Sequence, residues 1–218
     1  MLKVFNTLTR KKEEFKPRGG IVRLYTCGPS VYLQPHLGNF RTYVFEDVVK
    51  RVLLFEGYRV KHVMNITDVE DKAVKAAAGS MRKLRSITRG NEKIFMENSR
   101  ELNLLPADYY PRASEDIPAM VGMIKKIVKR SWAYRDGEGN IFFDVSRFRS
   151  YGSLSRSRFR NSLNRRVYKD DYFQREAGDF ILWKAWKECD GDVYWDTELG
   201  RGRPGWHIEC SAMSEKYL

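Results

Sequence analysis

The sequence predicts an α/β fold. An apolar, β-forming run over Ile21–Thr26, a helical period ending at Gly57 and a second apolar run over Tyr58–Ile66 make one strand–helix–strand unit. A shift of pattern at Pro106 then introduces a helix followed by a hairpin, so an α+β module is expected to interrupt the α/β core.

Residues 1–20 mix basic residues with a short apolar entry and end at Gly19-Gly20, which predicts a lead-in strand and turn. The strand Ile21–Thr26 passes through Cys27-Gly28-Pro29 toward a helix whose apolar positions Phe40, Val44, Val48, Val52 and Phe55 recur at helical spacing. A strand that turns through Gly and Pro into a helix N-terminus gathers free N–H groups and the positive end of a helix dipole, which suits a phosphate. His36 and Asn39 lie at the mouth of this helix, and Gly38 lets a ligand approach the backbone. Such residues also serve as plain caps, so the spacing alone leaves both readings open.

Tyr58–Ile66 is expected to pair in parallel with the first strand, with any ligand at the carboxyl ends of the two. Asn65 and Thr67 fall on that rim beside Cys27 and Gly28. Thr67–Lys72 opens a helix with acidic residues in its first turn, where Glu70 reads as a cap. Helix continues over Asn91–Leu105 and stops before Pro106.

Tyr109–Ala113 reads as a linker and Ser114 as the cap of a helix carrying Ile117, Met120, Val121, Ile124, Ile127 and Val128. A turn over Asp136–Asn140 leads to a strand over Ile141–Val145. Arg147–Arg166 is densely basic and interleaved with Phe148, Tyr151 and Phe159, a composition suited to RNA backbone and stacking contacts or to a solvated loop. Asp179–Lys187 is again apolar, Gly200–Gly205 reads as a flexible basic loop, and His207–Leu218 starts a helix. The division expected is 1–105 for the first half of the core, 106–199 for the insertion and 200–218 for the return to the core.

The 218 residues suffice for one substantial domain, or for one domain carrying an insertion. No apolar run reaches membrane-spanning length and no signal-peptide core is present, so a membrane role is not expected. The three cysteines, Cys27, Cys189 and Cys210, show no close-paired spacing and point to a reducing, cytoplasmic setting. A formal net charge of +12 favours a polyanionic partner such as RNA, or simply a solvated basic surface.

Three separated motifs narrow the reading. They are Tyr25-Thr26-Cys27-Gly28-Pro29 running on to His36-Leu37-Gly38-Asn39, then Asn65-Ile66-Thr67-Asp68, then Pro204-Gly205-Trp206-His207-Ile208-Glu209-Cys210-Ser211-Ala212-Met213. Their order resembles the class I aminoacyl-tRNA synthetases, whose His-Ile-Gly-His box corresponds to His36–Asn39, and among them the cysteinyl-tRNA synthetase family. The resemblance begins at Phe5–Arg10 and reaches the last residue. It implies the first half of a Rossmann-like class I synthetase catalytic core with an α+β connective insertion.

The resemblance also implies a reaction. Cysteine is activated with ATP and Mg2+ to an adenylate and passed to tRNA(Cys), a chemistry of positioning and charge stabilisation rather than of a protein nucleophile. Gly28, Pro29, His36, Gly38 and Asn39 would bind ATP, with His36 and Asn39 as catalytic hydrogen-bond donors. Asn39 stands where the family carries a second His; its amide donates but cannot carry positive charge. A Zn2+ ion would distinguish cysteine from the near-isosteric serine, with Cys27 and Cys210 as matching ligands. Cys27, Thr67 and Trp206 would contact the amino acid, and His207 would orient its loop. The alternatives are that each Cys is a small buried hydrophobe and Trp206 ordinary core packing; Cys189 matches no family site and reads as structural.

The family's other two zinc ligands, its Lys-Met-Ser-Lys-Ser loop, the second half of its nucleotide fold and its anticodon-reading domain all lie beyond the position of Leu218. The chain is therefore expected to be an N-terminal portion with an unpaired sheet edge and an exposed apolar face, needing a C-terminal portion or self-association. A ligase joining cysteine to an amino-sugar, and a non-catalytic RNA-binding paralogue, are the alternatives.

Overall fold

The computed structural model describes residues 1–17, 19–155 and 178–218. The larger part of the basic Arg147–Arg166 stretch, including Phe159, lies outside the described residues. The chain begins with a hairpin rather than a single lead-in strand: β1 (Lys3–Asn6) pairs antiparallel with β2 (Lys11–Glu14), and Arg10 takes the positive φ that closes the turn.

The strand–helix–strand unit follows. β3 (Ile21–Thr26) and β4 (Arg59–Met64) pair in parallel, in register from Ile21 opposite Arg59 to Thr26 opposite Met64. They are joined by α1 (Leu37–Phe55), which ends where Gly57 adopts a positive φ. Beyond the strands the pairing continues as a parallel bridge between Ser30 and Thr67.

α1 buries Phe40, Tyr43, Asp47, Lys50 and Leu53, and Phe40 and Tyr43 pack with Phe95 in one small core. The stripe Val44, Val48, Val52 and Phe55 is exposed, as is Phe45 beside it, with Phe55 at 90%. The helical period in the sequence is real, yet most of its apolar positions face away from β3 and β4.

Tyr109–Ala113 is not a linker. It runs beside β4, where Tyr109 O accepts from Met64 N–H, Pro111 O from Ile66 N–H, and Ala113 N–H donates to Ile66 O. Proline can serve there because only its carbonyl is required. Nor does Thr67 open a helix: α2 spans Asp71–Ala76, since Thr67 is held in the bridge to Ser30. Glu70 precedes α2 without capping it, and its carboxylate accepts from the Ser30 hydroxyl instead. α3 (Met81–Glu101) is capped by Ser80 and closes before Asn103, which has a positive φ.

The second module packs α4 (Ile117–Lys129) on a four-stranded antiparallel sheet in the order β5 (Ala133–Arg135), β6 (Ile141–Phe143), β7 (Phe180–Ala185), β8 (Gly202–Pro204). Asp116, not Ser114, occupies the cap position of α4; Ser114 lies in the preceding turn and bonds Asp68. The stretch read as a flexible loop contains β8, whose three residues are all buried. A Cβ on Gly202 would lie 2.1 Å from the Lys184 carbonyl oxygen, so only glycine permits this strand to approach β7.

α5 (Trp206–Tyr217) places Ile208, Ala212 and Met213 in the main core with Ile117, Met120, Ile124, Leu182 and Trp183. A buried ionic group ties α2 to this sheet: Arg203 donates to Asp71 at 2.6 Å and to Asp190 at 3.2 Å, and Lys184 also pairs with Asp71. Cys189 is exposed on a short turn over Glu188–Asp190, so it is no part of the core. Among the described residues no helix is long and apolar enough to cross a membrane.

Candidate active site

Two strand ends and one helix meet at a pair of thiols. β3 delivers Cys27, β4 delivers Asn65 and Thr67 just beyond its last residue, and the first turns of α5 deliver Glu209 and Cys210. Cys27 Sγ and Cys210 Sγ stand 3.2 Å apart although 183 residues separate them. The backbone must approach closely to allow this. A Cβ on Gly28 would lie 1.7 Å from the Asn65 carbonyl oxygen, so the Cys27-Gly28 sequence is required by the neighbouring strand as well as by the turn.

Around the thiols the polar groups are linked. Gly28 N–H donates to Asn65 Oδ1 at 3.2 Å, Asn65 Nδ2 donates to Thr67 Oγ1 at 3.2 Å, and Thr67 Oγ1 donates to Glu209 Oε2 at 2.8 Å. Thr67 N–H donates to the Pro29 carbonyl at 3.0 Å, fixing the loop that leaves β3. Asn65, Thr67 and Glu209 are all buried, and burial pushes the Glu209 carboxyl well above the usual carboxylate range.

The thiols are unequal. The Cys210 S–H beside it holds Cys27 down at about 7 against the opposing cost of burial, and Cys210 is pushed up, since a second anion next to the first is disfavoured. On the α1 side burial raises Glu46 to about 7, with the Thr26 hydroxyl acting in the other direction. Thr26 Oγ1 also lies 2.9 Å from His62 Nε2.

The N-terminus of α1 is built differently. His36 is its cap: the ring Nδ1 accepts from Gly38 N–H at 3.0 Å, and Asn39 Oδ1 accepts from His36 N–H at 3.0 Å. With Nδ1 accepting, the hydrogen of the neutral ring sits on Nε2, and with Oδ1 accepting, Asn39 retains Nδ2 as a donor. His36, Leu37, Gly38 and Asn39 are all exposed. A Cβ on Gly38 would meet His36 Cε1 at 2.9 Å, so glycine makes room for the capping ring.

The structure thus brings together Cys27, Gly28, Pro29, Thr67 and Cys210 from the residues singled out in the sequence. His36, Gly38 and Asn39 form the separate exposed cap, and Trp206 is 53% exposed at the first position of α5, so it is not core packing. His207 lies against the Phe180 ring, with centroids 4.8 Å apart. Sequence reasoning missed Glu209 and Glu46. For Glu209 a signal existed: it shares the i, i+3, i+4 face of α5 with Ala212 and Met213, so a charged residue there had to be buried. Among the described residues no group of three His, Cys, Asp or Glu side chains converges on one point.

Two solved structures share the fold. One is the Mycobacterium tuberculosis methionyl-tRNA synthetase in complex with methionyl-adenylate, with a TM-score of 0.62 and 12% identity, over 89% of this chain and 46% of that one. The other is a putative arginyl-tRNA synthetase from Campylobacter jejuni, with a TM-score of 0.54 and 10% identity, over 92% of this chain and 45% of that one.

The family described as tRNA synthetases class I (C) catalytic domain matches residues 14–218, and the chain belongs to that family. Cysteine–tRNA ligases from Chlamydia felis and Protochlamydia amoebophila are 46% and 43% identical to it across its whole length. The one from Brachyspira hyodysenteriae is 44% identical over 98% of it. In each case the chain spans 46% of the relative's length.

Proposed function

We propose that this chain is the N-terminal catalytic portion of a cysteine–tRNA ligase, which activates cysteine with ATP and Mg2+ and transfers it to tRNA(Cys). The observation that carries this reading is the convergence of Cys27 and Cys210, 3.2 Å apart at the carboxyl ends of parallel strands, where an α/β fold takes its ligand. The donor set fits half of a tetrahedral zinc site: Cys27 and Cys210 would be two ligands, and two more would come from outside this chain. Zinc, when bound, supplies selectivity, since it takes a thiolate far more readily than the hydroxyl of serine.

The chain's own residues do the rest. Thr67 and Trp206 contact the cysteine. Gly28, Pro29 and Gly38 bind ATP through their backbone, and the α1 N-terminus favours its phosphates. His36 Nε2–H and Asn39 Nδ2 donate to phosphate oxygens, because the cap engages only Nδ1 and Oδ1. That geometry answers the substitution of Asn39 for a family His: a donor is retained. The net charge of +12 supports tRNA as the partner, and three free cysteines support a cytoplasmic setting. Residues 1–105 are the first half of the core, 106–199 the insertion and 200–218 the return. A C-terminal portion or a second copy completes the site.

Calorimetry with non-hydrolysable analogues of cysteinyl and seryl adenylate, with zinc quantified in the same sample, tests the reading. Preference for the cysteinyl analogue, lost in Cys27→Ser, is expected. Equal affinity for both, unchanged by that substitution, overturns it. Cysteine-dependent ATP–pyrophosphate exchange then tests the chemistry.

A further inference from the structure

We propose that Asn65 and Glu209 are positioning residues of the thiol site: joined through the Thr67 hydroxyl, they hold Cys27 and Cys210 facing one another. The inference rests on reading that pair as the cysteine-selecting ligands, and it assigns work to two side chains that touch neither metal nor substrate.

The hydrogen bonds run in one sense, from Asn65 through Thr67 to Glu209. Thr67 has one hydroxyl hydrogen, and it goes to Glu209 Oε2 at 2.8 Å. Its oxygen therefore accepts from the neighbouring Asn65 amide, which fixes that amide with Nδ2 toward Thr67 and Oδ1 on the other side. Oδ1 then accepts from Gly28 N–H at 3.2 Å and lies 3.7 Å from Cys210 Sγ, sharing that S–H with Cys27 Sγ. One buried amide thus addresses the backbone beside Cys27 and the side chain of Cys210 at once. The chain of bonds spans the end of β3, the end of β4 and the first turns of α5, segments up to 183 residues apart in sequence.

Glu209 is fully buried, and among the described residues its Oε1 has no hydrogen-bond partner. A carboxyl held out of water with one oxygen unanswered costs stability, where an apolar side chain would pack at no such cost. What it supplies is the acceptor that orients Thr67, and through it Asn65. Groups one shell removed from ligating side chains commonly fix ligand orientation in this way.

The geometry of the pair can be read without metal or substrate. In the reduced, metal-free 218-residue chain carrying Cys189→Ser, the rate of Cys27–Cys210 closure by diamide reports how well the thiols face each other. One S–S bond forms, and the N=N bond of the reagent takes up both thiol hydrogens. Asn65→Ala and Glu209→Ala are expected to slow closure about tenfold or more, within the roughly 100-fold that a misplacement of about 1 Å costs an oriented reaction. Glu209→Gln keeps an oxygen acceptor for Thr67 and is expected to stay within about twofold of the parent.

Where Glu209→Ala does not fold, Thr67→Val interrupts the same chain at constant volume. Unchanged closure rates in Asn65→Ala and Thr67→Val overturn the inference. Loss in Glu209→Gln equal to that in Glu209→Ala overturns the part given to the acceptor. A separate titration with Co2+ addresses the underlying reading: a thiolate-to-cobalt absorption band that is lost in Cys27→Ser supports the metal role, and the closure rates decide the positioning independently of it.

Discussion

The thiol corner and the mouth of α1, the two parts of the proposed site, are built in opposite ways. At the corner, backbone approaches backbone with no room for a methyl group, and the polar side chains answer one another from three distant elements. At the mouth, four exposed residues cap their own helix through bonds two and three residues long. The corner exists only if the whole chain folds. The mouth would exist in any helix with this sequence. Long-range construction fixes a geometry before a ligand arrives, whereas a local cap presents donors that the ligand must arrange.

Glycine substitutions sharpen the contrast most. Gly28→Ala sets a methyl 1.7 Å from a backbone oxygen, which no rotamer can relieve, and a loss of about 3 kcal/mol or more is expected in urea unfolding. Gly38→Ala meets only the edge of the exposed His36 ring, which can swing aside, and is expected to change stability by less than about 1 kcal/mol. Equal effects at the two glycines would erase the distinction.

The corner also has a pH signature through His62, which is buried behind Thr26. Burial, with Lys50 adding in the same direction, holds its pKa down at about 4 from 6.5, while Asp108 and Asp47 act oppositely. Below 6.5 the unfolded chain binds a proton that the folded chain refuses. The His62 contribution to stability is therefore complete above pH 6.5 and is lost as pH drops toward 4, by up to about 3 kcal/mol, while Glu46, raised to about 7, acts with the opposite slope. His62→Gln should remove this slope from a series of urea unfolding curves between pH 7 and 4. The mouth contributes less: His36→Ala loses the acceptor for Gly38 N–H and is expected to cost about 1 kcal/mol at pH 7.

What was legible in the sequence follows the same division. β3, β4, α1 and α5 were readable because period and turn residues are local, and the capping pair was readable from four consecutive residues. The convergence of Cys27 and Cys210 had no local signal; only resemblance to a family joined them. Tyr109–Ala113 and Gly202–Pro204 were read as linker and loop because their pairing is supplied by β4 and β7, not by their own Pro- and Gly-containing sequences. Glu70 was read as a cap for the same reason: its partner, Ser30, is 40 residues away.

The two faces of α1 give the smallest and most local version of this comparison. Tyr43 packs edge-on against Phe40 and Phe95, with ring centroids 5.6 and 5.1 Å apart, whereas Val48 on the opposite side is exposed. A charged residue at Val48, 49% exposed, can reach solvent in this chain. Val48→Lys is expected to leave the urea midpoint unchanged to within about 0.5 kcal/mol, since it touches no packed feature. It also breaks a contiguous apolar stripe of the kind that marks an interaction surface, so light scattering at high protein concentration should fall. An unchanged midpoint with reduced scattering identifies the stripe as surface awaiting a partner. A midpoint loss comparable to that of Tyr43→Ala would mean instead that Val48 is already packed in solution, and that the two faces of the helix do not differ.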